Sequence, residues 1–214
     1  MEYHKIQSIY KRDEKTKEFI SEYSLPEFEY LKDNLWEFTE KIDGMNVRII
    51  WNNGELLFRG KTDNAQMSTH LLERLQEIFK KEKMQEIFPE GNIILYGEGF
   101  GVKIQSGGKY IRDGVDFILF DVLIDRWWLN RESVEDIANK LNLKIVKVVG
   151  EGTLQDAVEL TKKGFNSEFG DFIAEGIVLR PKIQLFSRKG DRIITKVKHK
   201  DFKLKQGSGN SSQP

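Results

Sequence analysis

The tripeptide Asn52-Asn53-Gly54 stands between two short runs of apolar and β-prone residues, Val47 to Trp51 and Glu55 to Arg59. Asn and Gly accept the positive φ that a two-to-three-residue hairpin loop demands, so the two runs are predicted to pair antiparallel. That commits the chain to a sheet early. Runs of the same kind predict strands at Trp36 to Thr39, Asn92 to Gly97, Asp116 to Ile124, Lys144 to Val149, Gly176 to Leu179 and Arg192 to Val197, with Lys189-Gly190-Asp191 joining a second hairpin. Helical spacing of Leu71, Leu72, Leu75, Ile78 and Phe79 predicts a helix over 68–81. Ser133 to Asp136 reads as a capping box that opens a helix burying Val134, Ile137, Ala138 and Leu141. Thr153 to Lys163 repeats the device and stops at Gly164. Helices and strands do not alternate as βαβ units, which predicts an α+β domain built on antiparallel sheet with flanking helices.

A chain of 214 residues, 39% hydrophobic, has material for one large core. The domain is expected over 1–205, followed by a flexible Gly/Ser/Asn-rich tail at 206–214. No apolar run approaches the ~20 residues of a membrane span, and the first residues lack the apolar stretch of a signal peptide, so a cytoplasmic protein with no membrane partner is expected. With no cysteine, disulfides, thiolate metal sites and cysteine nucleophiles are excluded. His4, His70 and His199 have no metal-ligand spacing between them. Net charge is zero, but ten basic residues from Arg180 to Lys205 oppose only Asp191 and Asp201, a segment able to attract polyanions.

Five segments carry chemistry. Glu40-Lys41-Ile42-Asp43-Gly44-Met45-Asn46 puts a lysine at a strand end just before a glycine, and Leu95-Tyr96-Gly97-Glu98-Gly99 ends a strand in a carboxylate. Phe117 to Val122 is an apolar strand interrupted by Asp121, Glu175-Gly176-Ile177-Val178 begins another strand with an acid, and Lys196-Val197-Lys198 is basic. Each alone suits an ordinary structural role: a hairpin turn at Asp43-Gly44, a solvated lysine face at the end. Gly97-x-Gly99-x-Gly101 lacks the helix a phosphate-cradling loop requires. Trp127-Trp128 suits either core packing or stacking on a base.

In this order, from Glu40 to Lys198, the segments resemble the covalent nucleotidyltransferase superfamily of ATP-dependent ligases and mRNA capping enzymes. Glu-Lys-Ile-x-Gly-x-Asn is most similar to the T4 RNA ligase 2 type. The resemblance implies a nucleotidyltransferase fold, a nucleophilic Lys41 that takes AMP from ATP, and joining of RNA 5′-phosphate and 3′-hydroxyl ends through an RNA-adenylate. It implies cofactor contacts at Glu40, Asn46, Arg59, Glu98, Phe120 and Glu175, and a magnesium (or manganese) ion held by Glu98 and Glu175. The chemistry suits the residue types. A lysine amine near pKa ~10.4 must lose a proton before it attacks phosphorus, and neighbouring cations such as Lys196 and Lys198 favour the neutral amine while stabilising charge on the phosphates. Phe120 offers adenine a ring to stack on. The alternatives are a GTP-using capping guanylyltransferase, a DNA ligase, or a nucleotide or RNA end-binding module without activity. The first two carry an OB domain after Lys-x-Lys, and T4 RNA ligase 2 relatives carry a helical C-terminal domain. Neither is expected in the few residues after Lys198, so a partner protein supplying RNA-binding surface is a further expectation.

Overall fold

The computed structural model describes residues 1–202; the expected tail at 206–214 lies outside the described residues. In chain order the elements are β1 (Gln7–Ser8), β2 (Tyr10–Arg12), β3 (Phe19–Tyr23), α1 (Pro26–Tyr30), β4 (Trp36–Glu40), β5 (Met45–Asn52), β6 (Glu55–Gly60), α2 (Thr69–Ile78), α3 (Lys81–Ile87), β7 (Asn92–Gly101), β8 (Val115–Ile124), β9 (Trp127–Trp128), α4 (Arg131–Leu141), β10 (Lys144–Ile145), β11 (Val148–Gly152), α5 (Leu154–Lys163), β12 (Gly176–Pro181) and β13 (Thr195–Lys198). Two sheets carry the fold. One runs β1-β13-β12-β4-β11; the other runs β10-β8-β7-β5-β6, with β9 on β8, and β2 and β3 form a separate hairpin. The two short pairs β1/β13 and β10/β8 are parallel, and the rest are antiparallel. The α+β class is therefore as expected. Among the described residues no helix is long and apolar enough to cross a membrane.

The hairpin at Asn53-Gly54 forms with a two-residue loop, both residues left-handed (φ 45° and 90°), and sets Asn52 opposite Glu55. The six-stranded sheet buries Val47, Ile49, Trp51, Leu95 and Leu119 against α2, α3 and α4. In the five-stranded sheet, Trp36, Phe38, Ile177 and Val197 pack on Leu154, Ala157 and Val158 of α5. At ~25 cal/mol per Å² of apolar surface, these two cores are the main stabilising term.

Several expectations need correction. The helix expected over 68–81 is two helices: Phe79 leaves helical dihedrals to pack its ring on Phe117 at 5.4 Å, and α3 begins afresh. Helix α4 starts before the expected capping box, because Asn130 is the cap and its side chain accepts from the Ser133 N–H. The box at Thr153 and Asp156 forms as expected, and Gly164 (φ 82°) closes that helix. The strand expected over 144–149 is split between the two sheets as β10 and β11. Arg192 makes only an isolated bridge with Phe186, and the last strand begins at Thr195. Sequence patterning missed β1 to β3, β9, α1 and α3, all of them short.

Candidate active site

The chain crosses between the sheets twice at one place, and the crossings floor a cleft. Residues 41–44 lead from β4 to β5, and 146–147 lead from β10 back to β11. Asp43-Gly44 is thus a sheet-to-sheet passage rather than a hairpin turn. Gly44 is required by proximity: a Cβ there would stand 2.3 Å from the Gly99 carbonyl oxygen and 2.9 Å from Glu98 Cγ. Ile42 and Val146, in the crossings, are buried with Phe100, Tyr110 and Ile118.

Above this floor lies a cavity of about 200 Å³ lined by Tyr3, His4, Ile6, Thr39, Glu40, Lys41, Ile42, Asn46, Lys61, Glu98, Phe120, Val146, Val178, Arg180 and Lys196. Strand alternation along β4 sends Trp36 and Phe38 to the α5 core and Thr39 and Lys41 to the cleft. The Lys41 N–H still bonds the Gly176 carbonyl at 2.9 Å, so the lysine leaves a fixed backbone. Its Nζ donates to Glu175 Oε2 at 2.6 Å and to the Ile42 carbonyl at 3.2 Å. From β13, Lys198 Nζ meets the other oxygen of Glu175 at 2.6 Å. One carboxylate therefore bridges both lysines. Gly176 makes this close pairing possible, since a Cβ on it would sit 2.1 Å from the Val197 carbonyl oxygen.

Glu98 on β7 stands opposite Asn46 on β5. Burial pushes its carboxyl up to about 7, against the pull of Lys41, and Glu175 adds to the push. Lys196 is drawn below the usual lysine range, first by burial and then by Lys198 and Lys41. Asn46 Oδ1 is buried with no hydrogen-bond partner among the described residues, an acceptor that a ligand hydroxyl would satisfy. Lys41, Asn46, Glu98, Glu175, Lys196 and Lys198 form the polar end of the cleft.

At the other end Phe120, from the six-stranded sheet, and Val178, from the five-stranded sheet, offer apolar surface, with Tyr3 edge-on to Phe120 at 5.2 Å. Behind Phe120 the fully buried Asp121 accepts from Tyr3 Oη at 2.7 Å, from Arg192 Nη2 at 2.6 Å and, more loosely, from Arg180 at 3.5 Å. Burial alone would raise this carboxyl, yet Arg180 and Arg192 hold it below the usual range. The N-terminal segment is pinned here from both sheets. Tyr96 Oη donates to the Met1 carbonyl, and β1 pairs Gln7 with Thr195.

Of the residues singled out in sequence, Glu40, Lys41, Asn46, Glu98, Phe120 and Lys196 line one cavity, and Glu175 and Lys198 join it through ion pairs. Glu40 lines the cavity too, and its carboxylate is buried, bonded by Ser167 Oγ at 2.5 Å and the Glu168 N–H at 3.1 Å, so it also anchors the turn after α5. Arg59 is exposed and donates to the Phe58 carbonyl; Lys61, two residues on, reaches the cleft instead. Tyr3, His4, Ile6, Lys61 and Arg180 were missed: the first three precede every recognisable segment, and Lys61 is one pleat beyond Arg59. The basic run from Arg180 is not one surface either. Arg180 and Arg192 serve Asp121, Lys182 pairs with Glu151 and Glu37, and Lys196 and Lys198 face the cleft. Trp128 is core, under the Arg192 guanidinium at 3.6 Å, and Trp127 is exposed.

The fold is that of solved RNA ligases. Naegleria gruberi RNA ligase with PPi superposes with a TM-score of 0.66 at 19% identity, over 83% of this chain and 53% of that one. A lysine-to-alanine variant of the same ligase with ATP and Mn gives 0.66 at 18% identity, over 92% and 63%. An aspartate-to-alanine apo form gives 0.62 at 20% identity, over 81% and 51%. The chain thus spans about half the length of these ligases. No curated protein matches in sequence. The RNA ligase family profile matches residues 34–198, from just before β4 to the end of β13, and takes in all five segments that meet at the cleft: this chain belongs to the RNA ligase family.

Proposed function

We propose that the protein is an ATP-dependent RNA ligase that works through a covalent lysyl-AMP, with Lys41 as the nucleophile. The observation that carries this is the Lys41–Glu175–Lys198 bridge on the wall of a cleft whose other end is apolar. Adenine lies between Phe120 and Val178, a ribose hydroxyl bonds Asn46 Oδ1, and the phosphates meet Lys61, Lys196 and Lys198. Lys41 Nζ can attack only after it gives up a proton, and Glu175 Oε2 is placed to receive it. The N–P bond to the α-phosphorus forms as the bond to pyrophosphate breaks, and Lys196 and Lys198 offset the charge that develops.

The residues present suit a magnesium or manganese ion. Glu98 and Glu175 act on one another across the polar end of the cleft, and among the described residues no cluster of three or more acids or histidines forms a complete cage. That is the arrangement of an ion shared between one or two carboxylates, water and nucleotide phosphates. When bound, the ion supplies charge neutralisation at the phosphate. In the later steps an RNA 5′-phosphate oxygen displaces Lys41 from AMP, and a 3′-hydroxyl then displaces AMP from the RNA-adenylate. A cysteine-free chain using ATP and RNA suits the cytoplasm.

The test is incubation with α-labelled ATP and magnesium, followed by peptide mapping. Acid-stable label on Lys41, absent in Lys41→Ala, is expected. Label from GTP alone would point to a guanylyltransferase, and label on Lys61 or Lys196 would overturn the assignment.

A further inference from the structure

Of the basic stretch that begins at Arg180, acids engage Arg180, Lys182 and Arg192, and Lys196 and Lys198 face the cleft; Arg188, Lys189 and Lys200 stay exposed, and further exposed cations stand close to the Lys41 crossing itself. The 41–44 crossing packs against the loop between β7 and β8, residues 102–114. The Asp43 N–H donates to Tyr110 Oη at 3.0 Å, and a Cβ on Gly107 would lie 3.4 Å from the Asp43 carbonyl oxygen. This loop carries Lys103, Lys109 and Arg112, all exposed, against a single acid, Asp113. Among the described residues none of the three cations makes an ion pair or a side-chain hydrogen bond.

The loop is also held in shape. Lys103 (φ 64°) and Gln105 (φ 47°) are left-handed without being glycine, a conformation that persists only where the surroundings enforce it. Those surroundings are the buried Ile104 and Tyr110 and the bridge from Gly101 to Ile104. Lys109 Nζ stands over the rings of Phe172 (4.8 Å) and Tyr110 (5.4 Å), which pre-orders an ammonium near the nucleophile's own turn. Acids on the packed neighbour are Glu168 and Asp171, the latter engaged by Asn166 Nδ2 at 2.9 Å.

We propose that the 102–114 loop is an RNA-docking surface, with Lys103, Lys109 and Arg112 contacting backbone phosphates of the strand whose end is presented to Lys41. A nucleic-acid backbone fits because the cations are spread along a rigid loop instead of converging on one point. This deepens the ligase reading and rests on it.

The test uses the full chain and a triple variant: Lys103→Asn, which tolerates the left-handed backbone, with Lys109→Gln and Arg112→Gln. Binding of a 5′-phosphorylated single-stranded RNA is measured from low to moderate salt, beside ATP labelling. The variant is expected to keep labelling within twofold, to lose about tenfold or more in RNA affinity at low salt, and to show a log K against log salt slope shallower by about 2, three contacts at ~0.7 each. Arginine at both lysine positions should restore the slope. RNA affinity and slope equal to the parent's would overturn the proposal, as would loss of affinity for a polyglutamate peptide in place of RNA. Failure of the parent to label would instead sink the ligase reading while leaving the RNA measurement intact.

Discussion

The two ends of the cleft handle charge in opposite ways. At the apolar end, Asp121 is fully buried and surrounded by donors: Tyr3, Arg192 and Arg180 all converge on it. At the polar end, Lys41, Lys196 and Lys198 crowd around Glu98 and Glu175, and both Lys196 and Glu98 are displaced from their ordinary titration ranges. The first end is electrostatically finished and holds shape; the second brings three lysines to two acids and keeps positive charge to spare. Stability and activity should therefore separate along the cleft.

The largest expected effect breaks the finished end. Asp121→Ala leaves two arginines, one of them nearly inaccessible, without their carboxylate, and removing one partner of such a buried group costs about 3–5 kcal/mol. Denaturant unfolding should show that loss. A change under 1 kcal/mol would mean the network is dispensable.

At the polar end, Lys198→Ala should lower the rate of adenylylation by about 10²-fold, the scale of one lost electrostatic stabiliser, while the unfolding midpoint stays within a degree or two. If the midpoint fell as far as it does in Asp121→Ala, the contrast between the ends would collapse.

The polar end was the more legible in sequence. Lys41, Glu98, Glu175, Lys196 and Lys198 sit in short segments that each suit a structural role alone but whose order along the chain carried the resemblance, and strand endings fix where each projects. Arg59 and Lys61 are two residues apart, so by a period of two they share a side, and the pattern alone does not say which of the pair comes near enough to line the cleft. The finished end was barely legible. Asp121 showed only as an acid in an apolar strand; its partner Tyr3 precedes every recognisable segment, and Arg192 showed only as the start of an expected strand. For the fold, the long amphipathic helices and the Asn-Gly hairpin carried clear signals. The split at Val146 did not, since a continuous apolar run looks the same whether it stays in one sheet or passes to another.

The smallest effect sharpens the comparison from its edge. His4 stacks on Tyr3 and meets Trp128 edge-on, and burial, aided by Arg192, lowers its pKa to about 4. A group whose folded pKa lies below its unfolded value near 6.5 binds more protons when unfolded, so stability rises with pH between about 4 and 6.5. The ring is partly accessible, so less than about 1 kcal/mol is expected. His4→Phe should flatten that segment of the stability curve, followed by tryptophan fluorescence; an unchanged slope would exclude His4 as its source.

The pairing of β1 with β13 joins Gln7 to Thr195, and the Tyr3 hydroxyl meets Arg192 across 189 positions. Contacts of such separation carry the greatest loop-closure cost and form late. During refolding, the hairpin of β5 and β6 and the α2 to α4 core can therefore assemble while the cleft still lacks a wall. Nucleotide binding should be the last property to return, trailing the recovery of secondary structure. On the ribosome it would have to wait until β13 has left the exit tunnel.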